Sequence, residues 1–244
     1  MRQDRRVIDR KAIRDEELVL QQLSGADGHY ELLYNETVFR STYGKVLSHS
    51  FADTILGLIK SSRAVDILLA GYGLGDTLDA VLDHPGLRSV TVVEPDEVLP
   101  QWSRDYLGKG ASIDDERSHL VIGSVTQFVE ASPTSYHGIG LELDLGPSRV
   151  LREENRRAYS MSSLRVLATR LRSDGVLVVR VTEEDKAYRR ALDEIFSEVG
   201  VHTIDKKDLL GNSVKGVFYI AGCNGFHDSL RGAGSPASFL SRGG

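Results

Sequence analysis

The sequence predicts an α/β protein: a doubly wound, mostly parallel seven-stranded sheet with helices on both faces, preceded by a small amino-terminal β-hairpin. Three observations predict it. From Val65 onward, short Val/Ile/Leu-rich runs alternate with longer amphipathic stretches, the pattern of strand–helix crossover units. The first run, Val65-Asp-Ile-Leu-Leu-Ala70, passes straight into the glycine turn Gly71-Tyr-Gly-Leu-Gly75. The second, Val90-Thr-Val-Val-Glu94, ends on a carboxylate about twenty positions further on, the separation at which an acid can reach ribose hydroxyls.

Taken in order, residues 1–28 form a charged arm, in which Leu18, Val19, Leu20 and Leu23 suggest a short helical stripe within Asp15–Leu23. Residues 29–48 hold the hairpin, Tyr30–Tyr34 and Thr37–Ser41 around Asn35-Glu36. Residues 49–223 form the α/β domain, opened by an amphipathic helix over Ser48–Ser61 that carries Phe51, Ile55, Leu58 and Ile59 on one side. Strands are expected at Val65–Ala70, Ser89–Glu94, His119–Ile122, Ile139–Leu143, Val176–Val181, Val201–Ile204 and Val217–Ala221. Helices are expected at Thr77–Asp83, Glu97–Leu107, Val125–Ala131, Ala158–Leu171 and Glu184–Val199. Ser173-Asp-Gly175 reads as a helix-ending turn with a positive φ at the glycine. Residues 224–244 are Gly/Ser-rich and read as a flexible tail.

Bulk properties narrow the function. The 244 residues are 41% hydrophobic and 27% charged, ordinary for a soluble globular protein. The formal net charge of −5 gives no general reason to bind nucleic acid or an anionic membrane. Cys223 is the single cysteine, and the seven histidines, His84, His119 and His137 among them, show no metal-ligand spacing, so neither a disulfide nor a metal site is expected. No apolar run reaches membrane-spanning length and no signal-peptide core follows Met1, so a cytoplasmic location is expected.

The glycines and Glu94 both fall at the carboxyl ends of strands, where open α/β sheets bind ligands. The spacing Gly71-x-Gly-x-Gly75 departs from the dinucleotide fingerprint, and no Gly-Lys-Ser/Thr phosphate cradle follows. A nucleoside with a short charged tail fits better, and S-adenosylmethionine is the natural candidate. Glu94 would hold the ribose, while Gly71, Gly73 and Gly75 would pass close to the sulfonium tail. Glu142 and Asp144, at the end of the fourth strand, would face the same cleft and orient an amine nucleophile, pointing the same way if the strand runs through both. Solvated loop residues or helix caps are the alternative for that pair. Trp102 could pack against the cleft wall but is more simply a core residue, and Tyr159 overhangs the site or, equally well, is an ordinary helix-start aromatic.

These segments together resemble the spermidine synthase-like branch of the class I S-adenosylmethionine-dependent methyltransferase (Rossmann-like) fold. The likeness runs from about Tyr30 to Ala221 and rests on Leu68–Thr77, His84–Asp96, Gln101–Gly108 and Leu141–Pro147. It implies S-adenosylmethionine or its decarboxylated form as co-substrate, no metal, and transfer of an aminopropyl, aminocarboxypropyl or methyl group to a small amine-type acceptor, with intramolecular cyclisation under the same geometry. It also implies a homodimer, as such proteins often form. There are departures. Leu74 stands where aminopropyltransferases carry the Asp that helps bind the aminopropyl amine, and Ser124 stands at their adenine-side Asp. Their Asp-x-x-Asp-Pro segment is shortened to Glu142-Leu-Asp144 before Gly146-Pro147, and Thr37–Tyr43 offers no counterpart to their glutamine. A non-catalytic binding or scaffold protein is therefore the competing reading.

Overall fold

A computed structural model describes residues 4–13, 16–24, 28–61 and 63–222; Cys223 and the segment from Asn224 lie outside the described residues. The amino-terminal region is a four-stranded antiparallel sheet in the order β1 (Arg5–Ile13), β2 (Glu16–Leu23), β3 (Tyr30–Tyr34) and β4 (Thr37–Ser41). The hairpin expected at Tyr30–Ser41 is its second half. The helical stripe expected within Asp15–Leu23 is instead β2. Val19 and Leu20 stand four and three residues before Leu23, a helical spacing, whereas Leu18 and Leu20 suit a period of two, and strand partners decide the matter: β2 pairs with β1 on one side and β3 on the other. Leu18 to Gln21 are all buried, so neither face alternates visibly. On β1, Arg5, Arg6, Arg10 and Lys11 are exposed and guard the open edge against further pairing.

The β3–β4 turn holds Asn35 at φ 44° and Glu36 at φ 64°. Asparagine tolerates this region and glutamate does not. Glu36→Gly is therefore expected to raise stability by about 0.5–1 kcal/mol, read as a small upward shift in thermal midpoint.

Helix α1 (Lys45–Leu58) follows and buries Leu47, Phe51, Ile55 and Leu58. The large sheet then forms from β5 (Val65–Ala70), β6 (Leu87–Glu94), β7 (Ser118–Ile122), β8 (Tyr136–Leu141), β9 (Leu171–Val181), β10 (Glu198–Lys207) and β11 (Ser213–Gly222). Its order is β10-β11-β9-β8-β5-β6-β7, parallel from β7 to β9, with β11 antiparallel to both β9 and β10. The connecting helices are α2 (Asp76–Leu82), α3 (Val98–Tyr106), α4 (Gly110–Ile113), α5 (Val125–Ala131), α6 (Met161–Thr169) and α7 (Lys186–Asp193), with a 3-10 helix at Glu153–Tyr159. Helix α7 stops short of the expected Val199, and β10 starts three residues before Val201. Ser173–Gly175 lie inside β9 and Gly175 has no positive φ, so no turn forms there.

The core has two layers. On one face α1, α2 and α3 pack together with Leu18, Leu20, Leu32 and Tyr34, so the small sheet shares this core; α5, α6 and α7 cover the other face. Helix α1 sits directly on β8 because Gly138 and Gly140 leave room: a Cβ on Gly140 would lie 2.8 Å from Ile55 and 2.9 Å from Phe51. Among the described residues, no helix is long and apolar enough to cross a membrane. From β5 the chain winds outward through β6 and β7, then returns to β8 on the opposite side. The crevice at the carboxyl ends of β5 and β8 is thus the topological switch point.

Candidate active site

Two adjoining recesses occupy this crevice. The first is lined by Gly71 and Gly73, by Glu94 and Asp96 at the end of β6, and by Glu142 and Asp144 beyond β8. Leu99, Leu151 and Pro95 add apolar walls, and Tyr34 and Phe39 reach in from the small sheet. The expected residues Gly71, Gly73, Glu94, Glu142 and Asp144 therefore meet. Gly75 and Ser124 line neither recess. Gly75 starts α2 at φ 82° and makes room for the Tyr72 ring, whose oxygen would lie 2.6 Å from a Cβ there. Ser124 pairs its hydroxyl with that of Thr126 at the start of α5.

Glu94 is 4% exposed. It accepts the backbone N–H of Tyr72 at 2.8 Å and that of Asp96 at 2.9 Å, one on each oxygen. Burial pushes its carboxyl up to about 7, against the opposing pull of those two N–H groups. The glycine turn and the end of β6 are thereby fixed to each other through this side chain. Gly71, at φ 96°, has the further task of letting β5 end against β8, since a Cβ there would lie 2.6 Å from the carbonyl oxygen of Glu142. Gly71→Ala combines left-handed strain with a backbone clash, and a loss of about 2–4 kcal/mol is expected in chemical denaturation.

Strand β8 ends at Leu141, two residues earlier than expected, so the pleat does not carry Glu142 and Asp144 in one direction. Their partners differ completely. Glu142 pairs with Arg180 and with Arg40, whose Nε lies 3.5 Å away, and accepts the hydroxyls of Ser48 at 3.3 Å and Thr77 at 2.5 Å. Burial raises its carboxyl, but Arg180 and Arg40 outweigh that and hold it below the usual range. Asp144 accepts from the backbone of Leu145 at 2.8 Å, Leu151 at 2.7 Å and Arg152 at 3.2 Å, and from Asn155 Nδ2 at 3.1 Å. These four bonds match the lone-pair capacity of a carboxylate. Asp144 therefore anchors the 145–155 segment, without capping the helix at Glu153–Tyr159, and that segment carries Arg152 into the recess. Arg152 pairs with Asp96 and its guanidinium lies 5.6 Å from the centre of the Tyr34 ring. With these side chains in place the first recess is tight, about 30 Å³.

Trp102 is in the core and donates its indole N–H to Asp9 of β1 at 2.9 Å; Tyr159 packs edge-on against Tyr188. Neither lines a recess. His137 accepts the backbone N–H of Asp66 through Nδ1, and His84 that of Gly86. No group of three or more metal-ligating side chains occurs among the described residues. The sequence reading missed Asp96, Arg152, Arg40 and Arg180. Asp96 had a local signal, its place in Glu94-Pro-Asp96; Arg40 and Arg180 had none, because each reaches the site from an element distant in the chain, and Arg152 lies in a loop that carries no motif.

A glycine turn and a strand-end acid flanking the switch point of a doubly wound sheet place this chain among α/β proteins built to bind a ligand beyond the carboxyl ends of their strands. Comparison with known proteins narrows this class. A family model described as the spermine/spermidine synthase domain matches residues 47–198, and the chain belongs to this family. It is 31% identical over 147 residues to polyamine aminopropyltransferase 2 of Pseudomonas aeruginosa, covering 55% of this chain and 40% of that protein. It is 30% identical over 174 residues to the polyamine aminopropyltransferase of Korarchaeum cryptofilum, covering 69% and 50%, and 32% identical over 114 residues to putrescine N-methyltransferase 1 of Nicotiana tabacum, covering 40% and 30%. The matches thus span half or less of these relatives. The spermidine synthase from Thermotoga maritima superposes with a TM-score of 0.73 at 17% identity, covering 90% of this chain and 73% of that one, which shows the shared fold.

Proposed function

We propose that this chain is a transferase that moves an alkyl group from a sulfonium nucleoside, S-adenosylmethionine or its decarboxylated form, to a small amine. The observation that carries the reading is Glu94: a buried carboxylate at the end of β6, tied to the glycine turn, in a family whose named relatives include both aminopropyl- and methyltransferases. The donor set suits the ligand. Glu94 offers acceptors to ribose hydroxyls, Pro95, Leu99 and Leu151 offer apolar walls to a base, and Gly71 and Gly73 present bare backbone to a charged tail. The bound sulfonium supplies an activated carbon: an amine lone pair forms the new C–N bond, the C–S bond breaks, and its electron pair stays on sulfur.

The protein's contribution is alignment and proton acceptance. Glu142, held as an anion by two arginines, serves as the electrostatic hub between the recesses and not as a base. Asp144 is the carboxylate we assign to the nucleophile's proton; its four bonds to the 145–155 segment occupy it here, so proton acceptance requires one of them to give way. The saturated Asp144 and the buried, apolar Leu74 favour a second reading, a protein that binds the nucleoside without turnover.

Mass spectrometry of reactions supplied separately with the two donors and a panel of amines tests the proposal. Methylthioadenosine as product indicates transfer or cyclisation of the aminoalkyl arm, and S-adenosylhomocysteine indicates methylation. Binding with neither product in any reaction selects the second reading.

A further inference from the structure

The second recess adjoins the first, shares Phe39, Gly73 and Glu142 with it, and encloses about 200 Å³. Its charged lining consists of Arg40, Arg180, Glu142 and Asp76. These groups are two of each sign, but they pair unevenly. Among the described ion pairs, Glu142 is the partner of both arginines, so one carboxylate serves two guanidinium groups. Their side chains are only 9% and 13% exposed. Arg40 spends its other donors on the backbone carbonyls of Phe39, at 2.8 Å, and Glu142, at 3.0 Å, and its buried Nε has no hydrogen-bond partner. Asp76 shares Lys109, at 2.9 Å, with Asp79, so its carboxylate is only partly compensated and its charge is felt at Arg180. A buried guanidinium N–H left without an acceptor is costly unless a ligand supplies one.

A diamine entering here could pair with Asp76 but brings no acceptor for the buried Arg40 Nε. An α-amino-acid group brings one charge of each sign. We infer that the second recess binds a zwitterionic α-amino-acid group, its carboxylate taken by Arg40 and Arg180 and its ammonium by Asp76. Supplied by the donor, this group is the methionine arm, which makes intact S-adenosylmethionine, and not the decarboxylated form, the ligand the site selects. Arg40 and Arg180 are then specificity determinants. The inference rests on the first recess being the nucleoside site, and the test separates the two claims.

Calorimetry on the full chain with methylthioadenosine, S-adenosylmethionine and decarboxylated S-adenosylmethionine provides that test. Methylthioadenosine reports the nucleoside site alone; if it does not bind, the nucleoside reading falls and this inference with it. If it binds, S-adenosylmethionine is expected to bind at least about tenfold more tightly than the decarboxylated form, the scale of one charge-assisted hydrogen bond. Arg40→Met should shrink that ratio to about threefold or less, and Arg40→Lys should restore part of it. Arg40→Met leaves the Glu142–Arg180 pair in place, and the wild-type ratio stands even if the variant does not fold. Should the two donors bind alike, protein loaded with methylthioadenosine is titrated with L-methionine and with putrescine. Tighter binding of methionine assigns the zwitterion to the acceptor, whereas tighter binding of putrescine overturns the inference.

Discussion

Replacing Glu94 with glutamine is expected to weaken binding of methylthioadenosine by about 10- to 100-fold, because charge-assisted hydrogen bonds to the ribose are worth roughly 1.5–3 kcal/mol. The pH dependence of the same binding makes the attribution specific. Burial raises the Glu94 carboxyl to about 7 in the folded protein, and ribose hydroxyls donate best to its charged form. Affinity should therefore rise by about tenfold between pH 6 and pH 8, with a proton released on binding at the lower pH. Glu94→Gln should flatten this profile. A variant that loses affinity yet keeps the full profile would show that Glu94 shapes the glycine turn and that another group titrates.

Linkage gives this carboxyl an opposite effect on the ligand-free protein. Its folded pKa lies above the ordinary value of 4.5, so between about 4.5 and about 7 the native state binds more protons than the unfolded chain. Its contribution to stability is therefore complete at the acidic end of that window and is lost as pH rises through it. Keeping this carboxylate buried and charged thus costs stability at neutral pH. Ligand binding, which favours the same anion, should stabilise the protein most at and above pH 7.

What the sequence made legible follows the range of the interactions. The segment from Val65 to Glu94 was readable because each part of it, strand, glycine turn, helix and strand-end acid, is local. The place of β11 between β9 and β10 was not, because nothing within Ser213–Gly222 tells which strands will flank it. Strand β2 was read as helical since Leu18, Val19, Leu20 and Leu23 satisfy both periods, and only the pairing with β1 and β3 decides between them. The Glu142–Asp144 pair illustrates the same boundary. Both residues were found, but their shared direction assumed a strand that in fact stops at Leu141. The partners that define them, Arg180 for one and the 145–155 segment for the other, come from folding and leave no mark in the motif.

The largest stability effect is expected at that first partner. Arg180 is pushed down to about 10 by burial, against the pull of Glu142, so it stays charged at neutral pH. Arg180→Met leaves Glu142 buried with two hydroxyl donors and the more distant Arg40, and breaking such a pair from one side costs about 3–5 kcal/mol. The fall in thermal midpoint should be on the order of 10 °C for a domain of this size. Adding Glu142→Gln to Arg180→Met removes the stranded carboxylate and should recover at least half of that loss, since the penalty lies in the uncompensated charge more than in the missing bond. If the double variant is as unstable as the sum of the two single ones, the two side chains are not energetically coupled, and the reading of Glu142 as an ion-paired hub is wrong.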